Sequence, residues 1–144
     1  MTEQPKKAEQ VIDWSAALES TGGDEAMLID LIGPFIEEAQ ERLAHIHQAI
    51  KSQDYVLLNR SAHTLKSLLR TFGASSVMVL AEELEAHFAP LAADRRAIEK
   101  GTLDPNVITP SRVVATFVDA PRMVTEFEPQ LHCVIAAVKA RLGL

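Results

Sequence analysis

The stretch Arg60-Ser-Ala-His-Thr-Leu-Lys-Ser-Leu-Leu-Arg-Thr-Phe-Gly-Ala74 predicts an amphipathic helix with a histidine in the middle of its polar face. At about 100° per residue, the polar side chains within roughly 60° of His63 are Asn59, Arg60, Lys66, Ser67 and Arg70. The opposite side of the helix is apolar and consists of Leu57, Leu58, Ala62, Leu65, Leu68, Leu69 and Phe72. We therefore expect the leucines to be buried and His63 to face water among cations, where it can meet a negatively charged group.

The basic spot around His63 is local, because the chain as a whole is acidic, with a net charge of −6. That charge argues against a nucleic-acid-binding protein, which needs a broad positive surface. No apolar run approaches the ~20 residues of a membrane-spanning helix, and the N-terminus lacks the apolar stretch of a signal peptide. The single cysteine, Cys133, lies in an apolar run and is predicted to be a buried thiol. We expect a cytoplasmic monomer that contacts neither nucleic acid nor membrane.

Helical periodicity and helix caps divide most of the chain into helices. They are predicted over residues 11–20, 24–52, 54–72, 75–88 and 122–142. Asp24 and Asp54 are suited to cap the second and third of these, and Gly73 to end the third. Residues 1–10 are polar and predicted to be a disordered tail. The fold class is all-α: an antiparallel four-helix bundle with a short extra N-terminal helix, formed by residues 11–144 as a single domain.

Prolines interrupt this pattern at two places. Pro34 lies inside the second helix, which it is expected either to kink or to split. Pro90 is predicted to end the fourth helix and to begin an irregular insertion over residues 90–121, which precedes the last helix. Within the insertion, residues 113–118 fit either a short strand or a helix. We interpret the insertion as a surface feature; a family-specific binding element is the alternative.

The motif Ala62-His63-Thr64-Leu65-Lys66, followed by Phe72-Gly73-Ala74, resembles the signature of histidine-containing phosphotransfer (HPt) domains. Further positions are similar to that family in order and rough spacing, namely Ala17-Leu18, Gly22-Gly23-Asp24, Phe35, Leu43, Asp54 and Leu84-Glu85. The resemblance covers about residues 12–88. The family usually has a glycine where this chain has Ser67. Leu68 and Leu69 replace the small polar residues that often follow, and we interpret both leucines as core packing residues.

The resemblance implies a phosphoryl carrier in two-component signalling, without an ATP or metal site of its own. It implies that His63 accepts a phosphoryl group from an aspartate of one receiver domain and passes it to another, while Lys66 stabilises the phosphoryl oxygens. From their position on the polar face around His63, Asn59, Arg60, Ser67 and Arg70 are predicted to contact the partner. The implied partners are response-regulator receiver domains and a hybrid histidine kinase. No cofactor is expected in this chain, because the Mg²⁺ that the reaction needs would be in the receiver.

Other functions fit the residues less well. Glu41 with His45 and Glu83 with His87 are spaced i,i+4, whereas di-iron sites in helical bundles use Glu-x-x-His at i,i+3, so no metal site is predicted. The cluster Glu82, Glu83 and Glu85 is interpreted as a solvated face of its helix. The alternative that stays open is an HPt-like helical binding module that no longer transfers phosphoryl groups.

Overall fold

Aspartate side chains begin the first three helices of the computed structural model, which describes residues 11–143. These helices are α1 (Trp14–Ser20), α2 (Glu25–Ser52) and α3 (Tyr55–Thr71). Asp24 accepts a hydrogen bond from the backbone N–H of Met27 at 3.0 Å, and Asp54 accepts one from Leu57 at 3.0 Å. Both predicted caps are thus confirmed; they satisfy donors that the first helical turn leaves without a partner. The α2 helix runs through Pro34 without being split.

The remaining helices differ from the prediction around Pro90. They are α4 (Ser75–Glu99), a 3-10 turn (Pro105–Val107), α5 (Pro110–Phe117) and α6 (Ala120–Arg141). The prediction that Pro90 ends its helix is wrong, and most of the 90–121 segment is helical instead of irregular. Pro90 and Ala86, whose carbonyl the proline ring displaces, are both exposed, so that carbonyl can turn to water. Leu91 and Ala92 are buried directly after the proline and anchor the extension.

The helices pack around one apolar core in which α3 lies between α2 and α4. The α6 helix contacts both α2 and α4 and closes the arrangement. Asn59 of α3 contacts Glu85 of α4, and Tyr55 contacts Arg95, so α3 and α4 run in opposite directions. Residues 11–143 contain no strand, and residues 113–118 belong to α5 and the turn after it. The chain is therefore all-helical over the part that the structure describes.

Gly73 sets the reversal between α3 and α4. Its φ of +65° lies in the left-handed region that side chains disfavour. A Cβ atom at this position would lie 2.6 Å from the backbone oxygen of Asp13. The carbonyl of Gly73 in turn accepts a hydrogen bond from the N–H of Asp13 at 3.1 Å. The turn that follows His63's helix is therefore fixed against the start of α1.

Three smaller predictions have different outcomes. Cys133 is exposed, so the predicted buried thiol is wrong; it lies on the solvent side of α6 between buried Leu131 and Val134. The predicted disordered tail, residues 1–10, lies outside the described residues. Among residues 11–143, no helix combines the length and the apolar character that crossing a membrane requires.

Candidate functional site

His63 stands on the solvent side of α3, where the apolar face of the helix holds it in place. Its neighbours Ala62 and Leu65 are completely buried, whereas the imidazole is 58% exposed. The predicted exposure of His63 is therefore confirmed. The ring stands beside the interface between α3 and α4, because it contacts Glu85 of α4.

Glu85 of α4 reaches across to His63 and binds it together with Lys66. The His63 Nδ1 atom lies 2.7 Å from Glu85 Oε2, and the Lys66 Nζ atom lies 2.7 Å from Glu85 Oε1. Each carboxylate oxygen therefore serves a different partner. The interpretation of Glu85 as part of a solvated face is wrong: its side chain is only 21% exposed, although Glu82 and Glu83 beside it are exposed.

The helix pairing explains why Glu85 lies at this position. Leu84, directly before it, is completely buried and fixes the rotation of α4. The Nδ2 atom of Asn59 donates to the backbone carbonyl of Glu85 at 2.8 Å, which ties the two helices together one turn before His63. Asn59, predicted as a partner contact, thus has a structural role in the pair of helices. Two sequence signals for Glu85 existed: its place after Leu84, and its position nearer the apolar face of the helix than Glu82 and Glu83.

The environment of Glu85 favours its charged form. Partial burial raises the pKa of the Glu85 carboxyl, but the hydrogen bonds and positive charges of Lys66 and His63 outweigh burial, so the pKa lies below its ordinary value. An ionised carboxylate can only accept hydrogen bonds. The Nδ1 atom of His63 must therefore carry the hydrogen that it shares with Glu85. In a neutral imidazole, this leaves the lone pair on Nε2.

The Nε2 atom of His63 has the properties of an accessible nucleophile. It makes no hydrogen bond with any residue among 11–143, and the ring that carries it is mostly exposed. Lys66, in contrast, is held close to the ring by Glu85 and is itself only 15% exposed. The arrangement combines a free ring nitrogen, a fixed tautomer and a cation that is already oriented.

His63 also lines a cleft between α3 and α4, with a volume of about 420 Å³. Its other lining residues are Val56, Asn59, Arg60, Glu85, Arg96 and Glu99. Two of the predicted partner contacts, Asn59 and Arg60, thus lie in this cleft. The other two, Ser67 and Arg70, are exposed farther along α3 and do not line it.

A second groove, of about 200 Å³, lies between α2 and α3 on the other side of the histidine helix. It is mainly apolar and is lined by Leu31, Pro34, Phe35, Glu38, Leu68, Thr71 and Phe72. Leu69 is completely buried, and Leu68 is half-buried and packs against the core, so the interpretation of both as packing residues is confirmed. Leu68 also lines this groove. Leu31 is 38% exposed and extends the apolar surface toward the start of α2.

His47 provides an internal comparison, because it is also exposed and also paired with a glutamate. Its Nε2 atom lies 2.8 Å from Glu128, and its side chain is 52% exposed. Glu128 has no lysine or arginine partner within 4.0 Å among residues 11–143, however, so this pair lacks the cation that Lys66 provides at His63. Within the same residues, no three His, Cys, Asp or Glu side chains lie close enough together to hold a metal ion.

Comparison with known families gives one match: a model of the Hpt domain aligns with residues 30–127. This region includes α3 with His63, all of α4 and the start of α6. No curated protein and no solved structure matches the chain significantly.

Proposed function

Because the chain belongs to the Hpt domain family, whose members transfer phosphoryl groups in two-component signalling, we propose that it is a phosphorelay intermediate phosphorylated on His63. The observation that carries this proposal is the contact of His63 Nδ1 with Glu85 at 2.7 Å, which leaves Nε2 free on an exposed ring. The proposed donor is a phosphorylated aspartate of one receiver domain, and the proposed acceptor is the aspartate of another. A hybrid histidine kinase would supply the first receiver.

In the proposed reaction, the lone pair of His63 Nε2 attacks the phosphorus atom of the receiver's aspartyl phosphate. The new P–N bond forms as the P–O bond to the aspartate breaks, and the carboxylate leaves with the bonding electrons. The hydrogen on Nδ1 stays in place, so the product ring is a cation that the Glu85 carboxylate neutralises. Transfer onward is the reverse: a receiver carboxylate attacks phosphorus, and the electrons of the P–N bond return to Nε2.

Lys66 can bind the phosphoryl group while it keeps its contact with Glu85. An ammonium group has three N–H donors, and the contact with Glu85 at 2.7 Å occupies one of them. The other two can bind phosphoryl oxygens and stabilise the charge that they carry in the transition state. Arg60, Ser67 and Arg70 would contact the receiver around this centre. The Mg²⁺ of the reaction is proposed to belong to the receiver.

The apolar groove between α2 and α3 supports docking of the receiver next to His63. Leu68 on α3, about one and a half helical turns after His63, and Leu31 on α2 are accessible there. Apolar surface at the centre of an interface contributes most of the binding free energy, whereas charged groups at the rim set orientation. On this proposal the chain works as a cytoplasmic monomer, with its four longest helices arranged as an antiparallel bundle.

The proposal is tested by incubating the chain with a receiver domain that carries a ³²P-labelled aspartyl phosphate. The label should move to the unaltered chain and give an adduct that is stable in base and labile in acid. His63→Gln should abolish this labelling. His47→Gln is the matched control, because it removes an exposed histidine that is also paired with a glutamate, and it should be labelled normally.

Two results would count against the proposal. Labelling of His63→Gln at the rate of the unaltered chain would mean that His63 is not the acceptor. Failure of the unaltered chain to accept label from every receiver tested would favour the alternative, an HPt-like module that binds partners without transferring phosphoryl groups.

A further inference from the structure

The cleft beside His63 extends along α4 past Pro90, because Arg96 and Glu99 line it together with Glu85. Glu85, Ala89, Ala92, Arg96 and Glu99 are spaced by four, three, four and three residues and so lie on one stripe of α4. Arg96 lies eleven positions after Glu85, so the stripe extends about 16 Å along the helix between them.

Three charged side chains in this cleft have no ion-pair partner among the residues that the structure describes. Arg60, Arg96 and Glu99 are all exposed, and none forms an ion pair within 4.0 Å with any residue among 11–143. Two charges on the same helix are paired instead: Asp94 contacts Arg112 at 2.8 Å, and Glu85 contacts Lys66 at 2.7 Å. The exposed charges of the cleft are thus available to a partner.

We propose that this cleft is a specificity-determining contact for the receiver domain, an inference that rests on the proposed function. Arg60 and Arg96 would bind carboxylates on the receiver, and Glu99 would bind a lysine or arginine. These ion pairs would form between the two docked proteins, away from the reacting atoms. They would therefore affect which receiver binds and not the transfer step itself. A receiver with the opposite pattern of charges would place like charges together and associate more slowly.

A receiver docked on His63 through an interface of standard size would also contact the cleft. A standard interface covers about 800 Å² on each partner, a patch with a radius of roughly 16 Å. A receiver centred on His63 therefore covers Arg60, one turn away, and reaches Arg96. The mixed signs of the charges also favour a protein surface over a small polyanion, because Glu85 and Glu99 would repel the latter.

Three variants distinguish the effect of where a charge lies from the effect of the net charge of the chain. Arg96→Glu reverses one charge of the cleft. The double variant Arg96→Glu/Glu99→Arg exchanges the two charges and keeps the net charge of the unaltered chain. Arg122→Glu on α6, whose side chain is 63% exposed, is the matched control, with the same change of charge away from the cleft.

The measurement is kcat/KM for transfer from each phosphorylated variant to a receiver that exchanges phosphoryl groups with the unaltered chain. Arg96→Glu and the double variant should be slower by about tenfold at low salt, and the difference should shrink at 0.5 M salt. Arg122→Glu should transfer normally. Labelling of His63 by phosphoramidate, which needs no protein partner, should be the same in all variants.

The outcomes separate this inference from the proposed function. Normal transfer by Arg96→Glu, or full recovery in the double variant, would overturn the specificity role and leave phosphorylation of His63 intact. Slower labelling of Arg96→Glu by phosphoramidate would also overturn it, because Arg96 would then act on the nucleophile and not on docking. If the unaltered chain transferred to no receiver, both proposals would fail together.

Discussion

The contact between Lys66 and Glu85 should make a measurable contribution to the free energy of unfolding. Its atoms lie 2.7 Å apart, and the side chains are only 15% and 21% exposed. Fully exposed ion pairs contribute about 0.2–1 kcal/mol, and hydrogen bonds between charged groups about 1.5–3 kcal/mol. Because this pair is mostly but not completely shielded from water, we expect a coupling energy of about 1.5 kcal/mol.

A double-mutant cycle measures this coupling. The variants are Lys66→Met, which retains an apolar stem, Glu85→Gln and the combination of both, and the assay is urea unfolding at pH 7. A parallel cycle with His63→Gln should give less than about 0.5 kcal/mol, because the imidazole is 58% exposed. A Lys66–Glu85 coupling below about 0.3 kcal/mol would refute the argument that Glu85 fixes Lys66 before a phosphoryl group arrives.

The pH dependence gives an independent check on the same contact. The folded-state pKa of Glu85 lies below the ordinary value of 4.5. A lowered carboxyl pKa stabilises the folded state at every pH above the unfolded-state value, and this stabilisation is lost as the pH falls through the folded-state pKa. The stability difference between the unaltered chain and Glu85→Gln should therefore be constant from pH 7 to about 5 and shrink below 4.5. A difference that grows on acidification would contradict the assignment.

Three further predictions concern the turn, the proline and the cation of the site. Gly73→Ala should lower the free energy of unfolding by about 2 kcal/mol, because left-handed strain adds to the 2.6 Å approach of the new Cβ atom to the backbone oxygen of Asp13. A change below about 0.5 kcal/mol in urea unfolding would contradict this. Pro90→Ala should raise the melting temperature, because it restores a backbone donor inside α4; a lower melting temperature would argue against a continuous helix. Lys66→Ala should slow phosphoryl transfer by about tenfold or more while the circular dichroism spectrum stays helical, and an equal rate would remove Lys66 from the mechanism.

The features that could be predicted from the sequence depend on local physical chemistry. The amphipathic pattern of residues 54–72 requires only helical geometry, and it correctly placed His63 in water and Leu65 and Leu69 in the core. The caps Asp24 and Asp54 also act within one turn of their own helices. Such signals are contained in a few neighbouring residues and do not depend on which helices later pack together.

The features that were missed depend on contacts between helices. Glu85 lies nearer the apolar face of α4 than Glu82 and Glu83, but its contact with His63 depends on the rotation of α4, which follows from burial of Leu84 against the other helices. Pro90 ends a helix only when nothing supports the next turn, and burial of Leu91 supplies that support here. Leu68 packs against the core as predicted, but its second role, in lining the groove, follows from how α2 and α3 pack together.

The proposed mechanism requires that Nε2 of His63 receives the phosphoryl group while Nδ1 keeps its hydrogen toward Glu85. Long-range ¹H–¹⁵N correlation spectra of the histidine rings test it directly, recorded before and after phosphorylation by a receiver. We predict a His63 ring that is protonated on Nδ1 at the start and shows ³¹P coupling on Nε2 afterwards, with the His47 ring unchanged. Phosphorus on Nδ1 of His63, or on another residue, would contradict this mechanism.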